Sequence, residues 1–405
     1  MLVIAPALRN LRNSYSMLKN MQESDKEWNI SFAGCGFLMA YYCGVYCCLF
    51  EQAQFLLKGV TKICGASSGA LMGAIIACQM SPAKCCENLL EMSREARKGT
   101  LGAVHPSFNL LKIVRNFLSR DLPDDAHLLA SGRLYVSLTR VSDGKNVLVS
   151  EFDSKEDLIQ ALICSCFYPL YCGVMPPRYH GIRYADGALS DNMPFSSLRN
   201  TITISPFSGE SDISPYGNAF YFHEIYYNNV SIHINFINAH RVVIAFFPPE
   251  PEVLAEMCQN GYKDAFLFLQ ENKLLKLRSP LPELWDHNPT SKKYSSKNKP
   301  TMTGNSKSIL PESIKKVFCK ASMMEKEEIR YPFSMKLVSC LMWCILPVEI
   351  AYIMFLRLAE WTPEMCKMTM GMIGRVWKAA FSRSYLRTQK WPTLHQDPSP
   401  SNRTH

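Results

Sequence analysis

Short apolar runs and stretches with helical spacing of apolar residues alternate along the chain as far as residue 275. The apolar runs predict strands over residues 29–33, 60–64, 134–138, 147–149 and 201–205. The helical spacing predicts helices over residues 40–50, 68–79, 85–97 and 155–164. Strands that alternate with helices in this way are typical of a parallel-type sheet in a layered fold. The pattern therefore predicts a large α/β domain.

The predicted strand at residues 60–64 runs directly into the segment Gly65-Ala66-Ser67-Ser68-Gly69. A G-x-S-x-G segment between a strand and a helix is typical of a nucleophile elbow, a sharp turn that exposes the serine hydroxyl. Gly65 and Gly69 leave room for the turn, and the following helix directs free N–H groups at developing negative charge. The segment predicts Ser67 as a nucleophile; an ordinary glycine and serine loop is the alternative.

A second glycine loop, Gly34-Cys35-Gly36-Phe37-Leu38, joins the first predicted strand to its helix. Such a loop at a helix N-terminus binds anions. A nucleotide site is disfavoured, because no Walker lysine follows and no acidic residue ends a following strand at the Rossmann spacing. Because a serine elbow lies one strand later, we interpret the loop as an oxyanion hole.

Asp186 is the candidate general base, because a short predicted strand brings it into a glycine turn at Gly187. Burial in an apolar site would raise the pKa of this carboxylate and let it accept the Ser67 proton without a histidine. An Asp-Gly pair is also a common plain turn. A Ser-His-Asp triad with His223 or His240 is the competing hypothesis. In α/β-hydrolases the serine, the acid and the histidine follow one another along the chain in this order, and His223 and His240 would fit it. Those proteins place several strands ahead of the elbow, whereas little more than one is predicted here, which disfavours the triad.

These motifs, in this order, resemble those of the patatin-like phospholipase family, in its adipose triglyceride lipase and adiponutrin branch. The resemblance is carried by residues 28–38, 105–110, 137–144 and 184–194, within an overall match over residues 28–275 and a weaker one over residues 346–363. It implies a three-layer α/β/α patatin-like sandwich with Ser67 as the acyl-accepting nucleophile and Asp186 as its base. It also assigns Gly34, Cys35 and Gly36 to the oxyanion loop, Gly65 and Gly69 to the elbow and Gly187 to the turn of the base.

One position departs from this family's pattern. The family's glycine loop has a further glycine where this chain has Met39, at the start of the following helix. The methionine side chain either crowds the loop against the elbow or points into the core, and its flexibility allows the second outcome. The first outcome would weaken or abolish catalysis, whereas the second would leave the site intact.

The composition fits one large α/β domain with an appendage, since the chain has 405 residues of which 47% are hydrophobic. Many of the 16 cysteines stand at hydrophobic positions, where they act as small core residues in a reducing compartment. The pairs Cys47-Cys48 and Cys85-Cys86 lack the spacing of zinc ligands, so no structural metal is predicted, and no cofactor is expected.

Segments on both sides of this domain differ from it in composition. Residues 1–27 form a predicted extension whose first twenty positions hold three basic residues and no acid, as in a transit peptide, a loose tail or a gene model extended upstream of Met21. Residues 276–332 are predicted to be a flexible basic linker, since residues 292–330 hold ten Lys and Arg against four Glu. With few aromatic residues and no nucleic-acid fold signature, this linker predicts no nucleic-acid partner.

The composition of residues 333–390 predicts association with a membrane surface, the family resemblance implies that this region targets lipid droplets, and residues 391–405 are predicted to be a disordered tail. Residues 337–356 have Glu349 as their only charge and are broken by Pro347, which disfavours a bilayer-spanning helix. A helix-break-helix that dips into one leaflet is predicted, and a buried hairpin is the soluble alternative. Residues 365–390 are basic and amphipathic, which is typical of membrane-surface helices and also occurs in ordinary solvated ones.

Together these features predict a lipid acyl hydrolase, a triacylglycerol or acylglycerol lipase with a Ser-Asp dyad, and transacylation as a side activity. The alternative is a weakly active or non-catalytic lipid-droplet protein that competes for a lipase co-activator. The expected partners are an acylglycerol or other glycerolipid substrate, a lipid-droplet or membrane surface, and a protein co-activator. The expected location is cytoplasmic, on lipid droplets and membranes.

Overall fold

The computed structural model describes residues 28–98, 108–169, 171–216, 223–275 and 309–328. The segments predicted at residues 1–27, 333–390 and 391–405 lie outside these ranges, as does most of the predicted linker. Within the described ranges, no helix combines the length and apolar character that a bilayer span requires.

Every strand and helix that the hydrophobic pattern predicts is present, with ends that differ by a few residues. The first half of the domain contains β1 (Trp28–Phe32), a 3₁₀ turn (Gly36–Leu38), α1 (Met39–Gln52), α2 (Gln54–Gly59), β2 (Val60–Ala66), α3 (Ser68–Ala77), α4 (Pro82–Arg97), α5 (Leu110–Asp121) and α6 (Ala126–Ala130). The remainder contains β3 (Leu134–Arg140), β4 (Asn146–Val149), α7 (Lys155–Ser165), β5 (Arg178–Tyr179), β6 (Ile182–Asp186), a second 3₁₀ turn (Gly187–Leu189), β7 (Thr201–Ile204), β8 (Glu224–Tyr227), β9 (Val230–His233), α8 (Phe236–Phe246), α9 (Pro251–Glu271) and α10 (Glu312–Glu328).

A seven-stranded mixed sheet lies at the centre, with the order β5-β6-β3-β2-β1-β7 and with β4 paired to β3. The predicted three-layer α/β/α class is confirmed, but the sheet is parallel only across β7, β1, β2 and β3. β4 and β6 run antiparallel to β3, and β5 runs antiparallel to β6. Short turns join β3 to β4 and β5 to β6, and a short connection permits only antiparallel pairing.

The strand register brings the ends of β2 and β6 together. Ala66, the last residue of β2, pairs with Ser137, and Asp186, the last residue of β6, pairs with the next residue of β3, Leu138. Because β2 is parallel and β6 antiparallel to β3, the two strands end head to head. Ser67, which follows β2, is thereby brought beside Asp186.

The core is built around α1, in which every residue from Met39 to Leu49 is buried. This helix packs on α9, while α3 packs on the parallel strands β1, β2 and β3. All cysteines in the described part of the chain are free thiols, and only Cys172 and Cys319 among them are not buried. The predicted role of cysteines as small core residues is therefore confirmed for that part.

Helix α10 corrects the linker prediction. It lies within residues 276–332, which were expected to be flexible, yet it packs on α4 and α9. Leu310, Ile314 and Phe318 are buried at a spacing of four residues, which is the apolar stripe of an amphipathic helix. The high count of basic residues hides this stripe, so the prediction is wrong for residues 312–328.

Candidate active site

Ser67 occupies the turn between β2 and α3 with φ 55° and ψ −127°. A positive φ is uncommon for a residue with a side chain and is found at strained turns such as a nucleophile elbow. The Ser67 N–H donates to Ser165 Oγ at 2.9 Å, and the Ser165 hydroxyl donates to the Ser137 carbonyl at 2.8 Å. Hydrogen bonds from α7 and to β3 therefore hold the strained turn in place.

The two glycines of the elbow are required by close contacts between backbone segments. A Cβ on Gly65 would lie 2.4 Å from the carbonyl carbon of Gly69. A Cβ on Gly69 would lie 2.5 Å from the carbonyl oxygen of Phe32. Both distances are far shorter than any real Cβ contact, so the strand and the helix approach this closely only with glycine at both positions.

Asp186 is 2% exposed, and its carboxylate accepts a hydrogen bond from the Ala188 N–H at 2.9 Å. Burial raises the pKa of this carboxyl group to about 7, although the Ser67 hydroxyl and the Ala188 N–H act in the opposite direction. The backbone of Asp186 is fixed as well, since its N–H donates to the Phe167 carbonyl at 2.8 Å and its carbonyl accepts from the Thr139 hydroxyl at 2.7 Å. The carboxylate is poised to take up a proton near neutral pH.

The neighbouring titratable groups are poorer proton acceptors. Burial raises the pKa of the Cys166 thiol well above its ordinary value, although a hydrogen bond with Ser67 opposes the shift. A thiol that stays protonated cannot act as a base. In the described ranges, no histidine forms a hydrogen bond with Ser67 or Asp186, and neither His223 nor His240 joins them. This geometry favours the Ser-Asp pair over the Ser-His-Asp hypothesis.

The predicted oxyanion loop borders the elbow: a Cβ on Gly34 would lie 3.1 Å from the Ser67 Cβ. The Gly34 N–H donates to Asn192 Oδ1 at 2.7 Å, and the Cys35 N–H donates to Ser68 Oγ at 2.9 Å. Two of the three predicted donor groups are thus engaged within the protein.

Gly36 has φ +56°, and a Cβ there would lie 2.1 Å from the Ala245 carbonyl oxygen, so α8 packs directly on the loop. No acceptor within the described residues pairs with the N–H of Gly36 or with that of Ser68, the first residue of α3. The N–H groups of Gly36 and Ser68 are therefore available to donate hydrogen bonds to an oxyanion.

Three supporting residues were not singled out by the sequence analysis: Ser165, Asn192 and Ser68. Asn192 lies in the segment 184–194 that carries the family resemblance, and Ser68 lies inside the elbow motif, so both had a signal. Ser165 stands between two cysteines at the end of α7 and belongs to no motif. Only the packing of α7 on β3 and β6 reveals that it supports Ser67.

Met39 points into the core. It is 5% exposed and lines an apolar cavity of about 50 Å³ together with Leu71 and Ile75 of α3 and Met80 and Cys85 beyond it. Its N–H caps the 3₁₀ turn by donating to the carbonyls of Gly36 and Phe37. Of the two outcomes considered for this departure, the structure shows the second.

One group of side chains in the described ranges could hold a metal ion: Asp153, Asp157 and His180, whose ligand atoms lie within 4.8 Å of one another. Exposed acidic groups often cluster in this way without an ion. His180 Nε2 already lies 2.9 Å from Asp157 Oδ1, and Tyr179 donates to the other oxygen of Asp157. The group has no hydrogen bond to Ser67 or Asp186, so it takes no part in the site.

Comparison with known proteins gives several long matches. The family model "Patatin-like phospholipase" matches residues 30–199. The human protein "Patatin-like phospholipase domain-containing protein 2" is 53% identical over 271 residues, which cover 66% of this chain and 54% of the relative. The chain thus spans about half the length of that relative.

Two mouse proteins match over most of both chains. "1-acylglycerol-3-phosphate O-acyltransferase Pnpla3" of Mus musculus is 38% identical over 361 residues, which cover 85% of this chain and 86% of the relative. "Patatin-like phospholipase domain-containing protein 5" of the same organism is 37% identical over 363 residues, with 84% of each chain covered. With this coverage and the α/β fold described above, the chain belongs to the patatin-like phospholipase family.

Proposed function

We propose that the protein is a serine ester hydrolase that cleaves acylglycerols at lipid-droplet or membrane surfaces, with Ser67 as nucleophile and Asp186 as base. The observation that carries the proposal is the strand register that brings Ser67, in its strained turn, beside the buried Asp186 carboxylate, whose pKa burial raises to about 7 and on which Ser67 acts. A base with a pKa near the working pH transfers protons most effectively. Family membership supports a lipid ester as the substrate class.

In the proposed reaction the Ser67 oxygen attacks the ester carbonyl carbon and its proton moves to Asp186. The tetrahedral intermediate collapses, the bond to the glycerol oxygen breaks, and Asp186 gives its proton to that leaving oxygen. Water then attacks the acyl-enzyme and gives a proton to Asp186, which returns it to Ser67 as the fatty acid leaves. The base ends in its starting state, so one dyad serves both halves of the reaction.

The oxyanion formed in both halves needs hydrogen-bond donors. We assign this role to the loop of Gly34, Cys35 and Gly36, with the N–H of Gly36 as its principal donor and the Ser68 N–H beside it. Both N–H groups are unpaired in the described structure, whereas those of Gly34 and Cys35 already have acceptors. Loss of one such donor typically reduces kcat by about a hundredfold to a thousandfold.

Acyl transfer is the second candidate activity. A relative that matches most of the chain is named an O-acyltransferase for 1-acylglycerol-3-phosphate. The same acyl-enzyme yields transfer if the hydroxyl of another glycerolipid replaces water as the attacking group. The two activities therefore share Ser67 and Asp186 and differ only in the acceptor.

A non-catalytic lipid-droplet protein that competes for a lipase co-activator is the alternative from another class. Met39 is the residue that favours it, since a bulky residue replaces a glycine of the family's loop. The position of the Met39 side chain, which lines the cavity beside α3, supports the catalytic hypothesis instead.

For location, we propose association with lipid droplets or membranes from the cytoplasmic side, through the apolar residues 337–356 and basic residues 365–390.

The proposal is tested by fatty-acid release from emulsified triolein, diolein and phosphatidylcholine, measured for wild type, Ser67→Ala and Asp186→Asn. We expect release by wild type, loss in both variants, and a preference among the three emulsions that identifies the substrate. Addition of 1-acylglycerol-3-phosphate as acceptor measures transfer against hydrolysis in the same assay. Equal rates for wild type and Ser67→Ala would refute the catalytic proposal and leave the non-catalytic alternative.

A further inference from the structure

Helix α8 exposes most of its large apolar side chains, with His240 among them, and directs Asn238 and Ile244 into the protein. Phe236 is 90% exposed, Val243 53% and Ile237 48%, and the exposed residues Ile234, Val242 and Phe247 extend the same surface. The buried residues of the helix are Asn238 and Ile244. A surface helix of a soluble domain normally has the opposite arrangement. We call these six exposed side chains the α8 apolar face.

Polar contacts fix this orientation from inside. The Asn235 side chain caps the helix by accepting from the Asn238 N–H at 2.7 Å. The Asn238 amide donates to the carbonyls of Ser208 at 2.9 Å and His233 at 2.8 Å. Arg241 donates to Asn238 Oδ1 at 2.9 Å. Rotation of α8 to bury its apolar face would break the bonds from Asn238 to Ser208 and His233, so the outward apolar face is part of the fold.

The inner side of α8 also approaches a half-buried carboxylate, that of Asp264. Tyr41 of α1 donates to Asp264 of α9 at 2.8 Å, and the charge of Arg241 acts on both groups. This network ties the polar side of α8 to the two helices that form the core.

Other residues of α8 contact the candidate active site. The Ala245 carbonyl touches Gly36 of the oxyanion loop. The Phe246 ring contacts the rings of Tyr168 and Tyr171, with centroids 5.5 Å and 5.3 Å apart. Tyr168 directly follows Phe167, whose carbonyl accepts the Asp186 N–H at 2.8 Å. The helix that carries the apolar face therefore also packs on the loop and near the base.

The charge around α8 matches a lipid surface. No acidic residue occurs between Glu224 and Glu250, whereas His233, His240 and Arg241 lie within that stretch. An apolar surface without acidic residues suits acyl chains beneath neutral or anionic headgroups.

We propose that the α8 apolar face docks the domain on the lipid monolayer or leaflet that holds its substrate. The inference rests on the proposed function in one respect, namely that the substrate is a lipid at an interface. The docking surface belongs to the catalytic domain itself and is separate from residues 333–390, for which the sequence alone predicts membrane association. Phe236 and Val243 enter the interface, and α8 holds the lipid surface near the loop on which this helix packs.

The test uses the full chain and the double variant Phe236→Ser/Val243→Ser, whose positions lie on one helix face seven residues apart. The matched control is Leu128→Ser/Met323→Ser, since these side chains are 70% and 67% exposed on α6 and α10. We expect the α8 variant to lose hydrolysis of emulsified triolein by about tenfold for each side chain withdrawn from the interface. Hydrolysis of the soluble ester p-nitrophenyl butyrate should not change, and the control should match wild type on both substrates.

Hydrogen–deuterium exchange of wild type, with and without phosphatidylcholine/phosphatidylserine vesicles, reports on docking without catalysis. Slower exchange in residues 234–247 on vesicles supports the proposal. Unchanged exchange there, together with equal emulsion turnover by the α8 variant, overturns it. A wild-type dimer that the α8 variant converts to monomer also overturns it, in favour of a second copy as the occupant. If wild type cleaves neither ester, the proposed function fails, while the exchange result still decides the docking surface.

Discussion

The raised pKa of Asp186 predicts how hydrolysis depends on pH. A carboxylate that must be ionised to accept the Ser67 proton, and whose pKa lies at about 7, gives a rate that falls about tenfold per pH unit below that value. Between pH 7 and pH 5 we therefore expect kcat/KM to fall by about fiftyfold, since about half of the carboxyl group is ionised at pH 7 and about 1% at pH 5. An ordinary aspartate, with a pKa of about 3.9, would leave the rate almost constant over this interval.

The fold itself should survive this change. Since burial holds the Asp186 pKa above its unfolded value, this group adds stability at low pH that is lost as the pH rises through about 7. Acidification toward pH 5 therefore does not unfold the protein through Asp186, and circular dichroism should remain constant while the rate falls.

The assay measures butyrate release from a soluble ester, so that binding to an interface does not enter the rate. The control is Asp264→Asn, because burial raises the pKa of Asp264 to about 6, and titration of that group could also make the rate fall in this pH range. We expect the pH–rate profile of this variant to keep its acid limb, the fall in rate below about pH 7. A limb near pH 4 in wild type, or one that moves in Asp264→Asn, would refute Asp186 as the base.

Further predictions concern stability around the site, each measured by urea unfolding together with hydrolysis of the soluble ester. Gly65→Ala places a methyl 2.4 Å from the Gly69 backbone and should lower the free energy of unfolding by about 1–3 kcal/mol, with loss of activity; an unchanged variant would contradict this contact. Ser165→Ala leaves the Ser67 N–H without its acceptor and should lower stability by about 1–3 kcal/mol, whereas full activity would show that the elbow needs no such support. Met39→Ala should enlarge the apolar cavity and lower stability by about 2–5 kcal/mol without a gain in rate, and a gain would show that Met39 crowds the loop.

Much of the fold is readable from the sequence because its signals are local. The strand that enters Gly65 and the helix that leaves Gly69 follow from apolar runs and glycine spacing, and both occur as predicted. The antiparallel direction of β6 is not local. It depends on the pairing of Asp186 with Leu138, two residues far apart in the chain, so the sequence pattern predicts a parallel-type sheet and does not reveal the antiparallel strand.

The candidate site shows the same difference between local signals and long-range pairing. Ser67 and Asp186 stand in motifs, but their contact depends on the register of β2 and β6 on β3. The inverted polarity of α8 could not be predicted either, since periodicity gives the apolar side of a helix but not the direction in which that side faces.

The head-to-head meeting of β2 and β6 has a consequence for dynamics. Serine hydrolases commonly carry their base on a mobile loop, whereas here the candidate base ends a strand of the central sheet and the Asp186 amide is hydrogen-bonded in the interior. Such an amide exchanges with solvent only when β6 separates from the segment that carries Phe167. The candidate nucleophile and base should thus stay together through the motions of exposed loops, so that activity in rising denaturant persists until β6 and this segment come apart.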